Sequence, residues 1–203
     1  NKNQEYLIPT RITDLFSKFP TIGSRTASRF VFYLLKLPKE KIDEITSAIN
    51  ELKNKVKLCN FCFNPHELDN NFCSICSDNS RNKELLCIVE KETDLISIEN
   101  TKKYKGLYFI LGGSLNMRQT NMDNLRINEL KERIKKMPNL TEIIIATNTT
   151  PEGNITSVLI ERALKELHNP SFKITHLGRG LPIGGELEYA DQETLESAFE
   201  GRK

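Results

Sequence analysis

Cys59-Asn-Phe-Cys62 and Cys73-Ser-Ile-Cys76 are two Cys-x-x-Cys pairs separated by ten residues. Each pair is short enough for its thiolates to grip one ion from a tight turn. Four thiolates closing on a tetrahedral ion make a structural zinc site with no open position for catalysis. The intervening segment Phe63–Phe72 is polar and turn-rich and has too little apolar content to hold itself together by a core. Metal binding is worth about 10–16 kcal/mol in isolated zinc-finger peptides, enough to order such a loop. A pair of disulfides or four free thiols would use the same residues, but the spacing suits one zinc ion better. The segment separates a helical, basic first part from a second part in which strands and helices alternate.

At 203 residues and 38% hydrophobic, the chain can bury one sizeable core or two modest ones. No apolar run is long enough to span a bilayer, and no charged-then-apolar leader opens the sequence. Five cysteines, four of them in a metal pattern, suit a reducing interior, so a cytoplasmic protein with no membrane partner is expected. The net charge of +2 is unevenly spread: residues 1–58 carry +5 and residues 59–203 carry −3. An excess of that size is compatible with a polyanion partner and equally with an ordinary solvated helical surface.

In the first part Ile12, Leu15, Phe16 and Phe19 fall at helical spacing, and Pro20 ends the run. A second helix is expected from Gly23-Ser24, burying Ala27, Phe30, Val31 and Leu34. A third carries Ile42, Ile45, Ile49, Leu52 and Val56 on one stripe. These residues predict a small helical bundle with the apolar stripes as core. The connector Phe19-Pro-Thr-Ile-Gly23-Ser24 exposes backbone N–H groups at a helix start, where they and the helix dipole favour a phosphate. Arg25 and Arg29, one turn apart, share a face beside it. The segment resembles a helix-hairpin-helix, a DNA-backbone binder without sequence preference whose loop usually reads Pro-Gly-Ile-Gly. Thr21 stands here in place of the first glycine. A plain Gly-containing connector within a bundle is the other reading.

After the cysteines the period changes. Leu85–Val89 reads as a buried strand ending at Glu90, followed by a helix over Thr93–Asn100 and a strand over Leu107–Leu111. A helix is expected over 124–136, a strand over Glu142–Thr147, a helix from Asn154 that buries Val158, Leu159, Ala163 and Leu167, and a strand over Phe172–Thr175. Such alternation predicts a parallel sheet flanked by helices, with its site where strands end, at Glu90 and Asn148–Gly153. This half resembles the Toprim domain of topoisomerases, primases and nucleases, which place a glutamate after one strand and Asp-x-Asp-x-Glu-Gly after a later one to hold Mg²⁺. Here Asn148-Thr-Thr150-Pro-Glu152-Gly153 aligns with that element, and both aspartates are replaced. Mg²⁺ relies on carboxylates to offset its dehydration, so Glu90 and Glu152 alone make a weak site. No catalytic residue is assigned. No Gly-x-x-x-x-Gly-Lys-Ser/Thr loop and no Gly-x-Ser-x-Gly occurs, which argues against nucleotide hydrolysis and serine-hydrolase chemistry. Cys87 reads as a small buried strand residue, His66 as a loop residue, and His168 and His176 as unassigned flanks of the last strand. Leu177–Asp191 is too rich in Gly and Pro for a helix, and Glu193–Phe199 can form a short terminal one.

Taken in order, the helix-hairpin-helix, the four cysteines, the Toprim-like element and Arg179-Gly-Leu-Pro182-Ile-Gly-Gly-Glu-Leu-Glu-Tyr189-Ala-Asp191 resemble the RecR family of bacterial recombination mediators over essentially the whole chain. One departure besides Thr21 is Met117–Asn121, where the family usually has a Pro- and Gly-rich loop. The resemblance implies a multidomain α/β (α+β) protein: a helix-hairpin-helix domain over 1–58, a four-cysteine zinc finger over 59–80, a Toprim domain over 81–176 and a C-terminal loop and helix over 177–203. It implies a non-enzymatic clamp in DNA repair that forms a homo-oligomeric ring, commonly a tetramer, around double-stranded or gapped single-stranded DNA. Such a clamp works with RecO, and in many bacteria RecF, to load RecA. By the same resemblance Gly23, Arg25 and Arg29 would face DNA, and Cys59, Cys62, Cys73 and Cys76 would hold one structural Zn²⁺ and brace the hairpin domain against the Toprim domain. Glu90, Asn148 and Glu152 would mark a vestigial acidic site or partner surface. Arg179, Pro182 and Tyr189 would contact a neighbouring subunit. An active Mg²⁺-dependent nuclease or primase-type enzyme using Glu90, Glu152 and a third ligand such as Asp94 is the alternative, and an operator-binding zinc-ribbon regulator is a third.

Overall fold

The computed structural model describes residues 8–115, 125–167 and 172–202. Met117–Asn121 and His168 lie outside them. The chain divides into two compact units, Asn1–Val56 and Lys57–Lys203.

The first unit holds α1 (Ile8–Phe16), α2 (Ser24–Leu34) and α3 (Lys39–Lys55). Pro20 follows the α1 stop, and Pro38 stands as the α3 N-cap with extended backbone. The connector between α1 and α2 places Thr21 at φ 65°, the left-handed region that a glycine enters freely. Threonine keeps the glycine-type turn at a cost of about 1–2 kcal/mol. Replacing Thr21→Gly is therefore expected to raise the stability of the helical unit by about 1 kcal/mol in urea unfolding of the full chain, net of the added unfolded-state entropy. An unchanged midpoint would mean that the turn does not hold this conformation in solution.

The expectation that the three apolar stripes form a bundle core needs correction. Only Ala27 and Val31 of α2 are buried, and neither α1 nor α3 has a buried residue. Phe30 meets Phe16 edge-on at 6.2 Å yet stays 43% exposed. Ile45, Ile49 and Leu52 are all exposed. The helical period is right, but among the described residues of the unit the middle of the α3 stripe stays uncovered.

The second unit opens with a two-residue hairpin, β1 (Lys57–Leu58) against β2 (Pro65–His66), then the short α4 (Ser74–Ser77). The alternating part follows: β3 (Asn82–Val89), α5 (Glu92–Asn100), β4 (Gly106–Ile110), α6 (Ile127–Lys135), β5 (Glu142–Ala146), α7 (Pro151–Lys165) and β6 (Lys173–His176), with a terminal 3₁₀ turn at Leu187–Tyr189 and α8 (Gln192–Glu200). The sheet is parallel with strand order β4-β3-β5-β6. Apolar runs with no polar alternation suit β3 and β4 because both of their faces are covered. On one face Leu86, Ile88, Phe109, Ile143 and Ile145 pack with Leu130 and Ile134 of α6 and Ile160 and Leu164 of α7. On the other, Cys87, Val89, Tyr108 and Ile110 pack with Leu95 of α5 and with Cys59, Cys62 and Cys73. The cysteine segment is thus one of the layers of this fold.

It also guards the sheet's outer strand. The Ile110 amide donates to the Cys62 carbonyl at 3.0 Å, and Phe63 packs edge-on against Phe109 at 5.5 Å. The β4 edge would otherwise offer unpaired groups to another strand. Two sequence expectations shift. Helix α7 starts at Pro151 rather than Asn154, and Val158 on it is 66% exposed.

Candidate functional site

Chemistry-bearing side chains gather in two places: the metal-type cluster in the cysteine segment and the end of the sheet where Glu90 lies. Tight turns assemble the first. Phe63, just after the first pair, adopts φ 64°, and its amide donates to the Cys59 carbonyl at 2.9 Å. The amides of Phe61 and Asn64 donate to the sulfurs of Cys59 and Cys62, both at 3.4 Å. Such backbone donors stabilise thiolates. The second pair spans the start of α4. All four sulfurs lie within 4.8 Å of one another, and Cys62 Sγ is 3.5 Å from Cys73 Sγ. A tetrahedral zinc holding sulfur at about 2.3 Å separates its ligands by about 3.8 Å. No disulfide joins any of the five cysteines. The donor set, its burial and its spacing can hold a metal ion and are compatible with zinc. Hydrogen bonds from Cys62, Cys73 and Cys76 hold the Cys59 thiol far below its ordinary value, while hydrogen bonding to Cys59 pushes Cys62 up. Cys87 packs beneath the cluster, pushed up to about 12 by burial, and serves as core.

Ionic contacts that the sequence reading missed surround this cluster. Arg81 forks onto Glu99 and reaches the Gly106 carbonyl, and the Tyr108 hydroxyl donates to the same carboxylate at 2.9 Å. From α6 and its approach, Arg126 lies over Phe63 at 4.5 Å and Arg133 over Phe61 at 3.7 Å. One signal for Arg133 was present: it occupies the inward stripe Leu130–Arg133–Ile134–Met137, an arginine in an apolar row. Both nitrogens of His66 are buried without a hydrogen-bond partner among the described residues.

The second site is at the C-terminal ends of β3 and β5. Glu90 is 2% exposed. One of its carboxylate oxygens accepts from the Asn148 backbone amide at 2.9 Å, and the other accepts from Asn148 Nδ2 at 2.7 Å. Thr150, at the second missing aspartate position, caps α7, its hydroxyl accepting from the Gly153 amide at 3.2 Å. Both replaced acids therefore have other tasks, one holding Glu90 and one starting a helix. Gly153 is dictated by space: a Cβ there would lie 2.0 Å from the Asn148 carbonyl oxygen and 2.9 Å from Glu90 Oε1. Glu152 occupies the first turn of α7, partly exposed, with its backbone carbonyl accepting from Thr156 at 2.7 Å. Asp94 accepts the Lys91 amide at 2.9 Å and so caps α5. Among the described residues the four cysteines are the one group of three or more potential ligands close enough to share an ion.

In the helical unit Gly23 is the N-cap of α2, with no side chain capping that end. Arg25 and Arg29 are exposed, and neither forms an ion pair among the described residues. In the tail, Arg179 donates to Glu193 at 2.7 Å and to Asn154 at 2.8 Å within the same chain. Pro182 is exposed and Tyr189 is 79% exposed.

A parallel sheet with Glu90 at a strand end, a glycine packed against it and a helix-hairpin-helix elsewhere in the chain define a Toprim-domain protein with a DNA-binding type of helical unit. The comparisons agree. Residues 84–178 match the Toprim domain, residues 10–53 the RecR helix-hairpin-helix and residues 180–203 the RecR C-terminal segment. Proteins named Recombination protein RecR resemble it throughout: that of Bifidobacterium animalis subsp. lactis is 42% identical over 95% of this chain and 94% of its own. That of Endomicrobium trichonymphae is 38% identical over 95% of each, and that of Clostridium perfringens 37% over 95% and 94%. The chain belongs to the RecR family.

Proposed function

We propose that this chain is a zinc-containing DNA clamp of recombinational repair that carries out no chemistry itself. The single observation that carries the reading is the Glu90–Asn148 pair. A Toprim-type enzyme needs carboxylates free to take Mg²⁺. Here the one buried carboxylate at the strand ends already accepts two hydrogen bonds from Asn148. The four cysteines hold one structural zinc, and the division into 1–58, 59–80, 81–176 and 177–203 follows from these roles.

DNA is held by the helix-hairpin-helix. The uncapped start of α2 offers N–H groups to a phosphate, with Gly23 leaving the approach open and Arg25 and Arg29 adding charge beside it. Lysine and arginine contacts to the backbone read no sequence, so duplex and gapped single-stranded DNA are both suitable. Ring assembly, commonly as a tetramer, is supported by apolar surface that the chain leaves open. A 17-residue helix with no buried residue gains little from propensity alone, and its Ile45–Ile49–Leu52 stripe suits a second copy. The tail exposes Ile183, Leu187, Tyr189 and Phe199, and contact with a neighbour through Arg179, Pro182 and Tyr189 would cover them. A ring multiplies modest phosphate contacts through effective concentration. RecO, and RecF where present, are the partners with which it would help load RecA at the bacterial nucleoid, with the Glu90, Asn148 and Glu152 surface available to them.

The test is a salt titration of binding to random duplex, with light scattering for assembly. The double substitution Arg25→Ala/Arg29→Ala is expected to lower affinity at least tenfold. It should also flatten the slope of log K against log salt by about 2 per engaged subunit while the oligomer persists. Unchanged affinity and slope in an intact oligomer would remove the hairpin from the DNA contact.

A further inference from the structure

A buried guanidinium is stable only beside a negative charge, and among the described residues Arg133 meets no carboxylate. The residue is only 9% exposed, its Nε makes no hydrogen bond, and it forms no ion pair among the described residues. Its guanidinium lies over the Phe61 ring at 3.7 Å. Phe61 in turn stacks on Phe72 at 4.5 Å, and its amide donates to Cys59 Sγ. Phe61 lies between the first two cysteines and Phe72 directly precedes the third, so the guanidinium rests on a platform built from the cluster's own loops.

The attraction of the ring is too small to explain the burial. Even a desolvated cation–π contact returns only part of what taking an unpaired charge out of water costs. The negative charge within reach is the cysteine cluster itself, since the ring that Arg133 covers belongs to the residue between Cys59 and Cys62, whose amide meets Cys59 Sγ. Four thiolates around a divalent ion carry a net charge of about −2. We infer that Arg133 is the counter-charge of the four-cysteine metal centre, a positioning residue that halves the centre's net charge, strengthens its hold on the metal and fastens the loaded segment to α6. This rests on the reading of the cysteines as a zinc site. It gives that site a partner far away in the sequence, and it explains why an arginine interrupts the inward row of α6.

The experiment uses the full chain. Zinc content per purified chain comes first: one equivalent supports the zinc reading, and none overturns that reading whatever Arg133 does. Zinc affinity is then measured by competition with a chromophoric chelator for wild type, Arg133→Met and Arg133→Lys. Outer-layer groups typically change metal affinity about 10–100-fold. Arg133→Met is expected to keep one zinc per chain in excess metal but to bind it about tenfold or more weakly, while Arg133→Lys stays within about fivefold of wild type. If the Met variant does not fold, Arg133→Gln takes its place, and the Lys variant must still fold and hold zinc. A neutral variant within twofold of wild type overturns the inference. So does a Lys variant as weak as the neutral one, or one that fails to fold, because shape rather than charge would then be the cause.

Discussion

Stripping the metal from the chain, or replacing Cys62→Ser, is expected to lower the melting temperature of the Lys57–Lys203 unit by about 8–16 °C. Without the ion, four thiols held within 4.8 Å have no common partner, and the polar segment between the two pairs has no core of its own. Zinc binding worth about 10–16 kcal/mol in peptides goes mostly into ordering such a loop. The remainder, roughly 4 kcal/mol, reaches the sheet, which corresponds to the stated shift for a unit of this size. The route is specific. The Cys62 carbonyl accepts the Ile110 amide at the open edge of β4, Phe63 packs on Phe109, and three of the cysteines pack under Cys87, Val89 and Tyr108. Losing the segment uncovers a face and an edge together, so aggregation through β4 should accompany the destabilisation. Calorimetry of the chelated protein with and without zinc returned checks this. A melting temperature indifferent to metal would mean that the cysteines act as ordinary core. Cys87→Ser should leave zinc content unchanged, since burial alone governs that thiol.

The architecture was legible where burial on both faces leaves a mark in the chain. Leu85–Val89 and Leu107–Leu111 read as strands because no polar alternation interrupts them, and both lie in the interior of the sheet unit. The four-cysteine cluster was legible because two Cys-x-x-Cys pairs at this separation are the spacing of a metal-binding site. The start of α7 fell three residues later in the sequence reading although Thr150-Pro151 is a cap-and-first-turn signal, because the first turn, Pro151–Asn154, has no aliphatic or aromatic residue to show a helical period. The α3 stripe was read correctly as a period and wrongly as core, since a period shows that a face must be covered but not by what. Contacts between distant residues left the least trace. The Glu90–Asn148 bond joins residues 58 apart, and the sequence showed only that an aspartate was missing, not that its replacement had become a donor. Arg133 likewise reads as an ordinary charged helix residue in everything but its place in the inward row.

Restoring that aspartate provides the second large effect. Asn148→Asp is expected to destabilise the sheet unit by about 5–7 kcal/mol at neutral pH without divalent metal, and millimolar Mg²⁺ should recover much of the loss. The substitution removes the Nδ2–H donor that meets Glu90 at 2.7 Å and puts a carboxylate oxygen there instead. A charge-assisted hydrogen bond contributes about 1.5–3 kcal/mol, and a like-charge contact near 4 Å costs about 4 kcal/mol at an effective dielectric constant of about 20. Glu90 is buried, so water screens that contact poorly. A hard cation between the two carboxylates converts the repulsion into coordination, as oxygen-rich Mg²⁺ sites do. The wild type has no such opening and should melt at the same temperature with or without Mg²⁺. Asn148→Ser, which adds no charge, separates the two causes: it should lose the hydrogen bond alone, about 1–3 kcal/mol, with no rescue by metal. If Asn148→Asp proves as stable as wild type and indifferent to Mg²⁺, Glu90 is not held by Asn148 in solution. If wild type is itself stabilised by Mg²⁺, the carboxylate is open to cations and the non-catalytic reading loses its main support. The asymmetry between those outcomes is physical: one amide in place of one carboxylate decides whether this strand end attracts a cation or has no need of one.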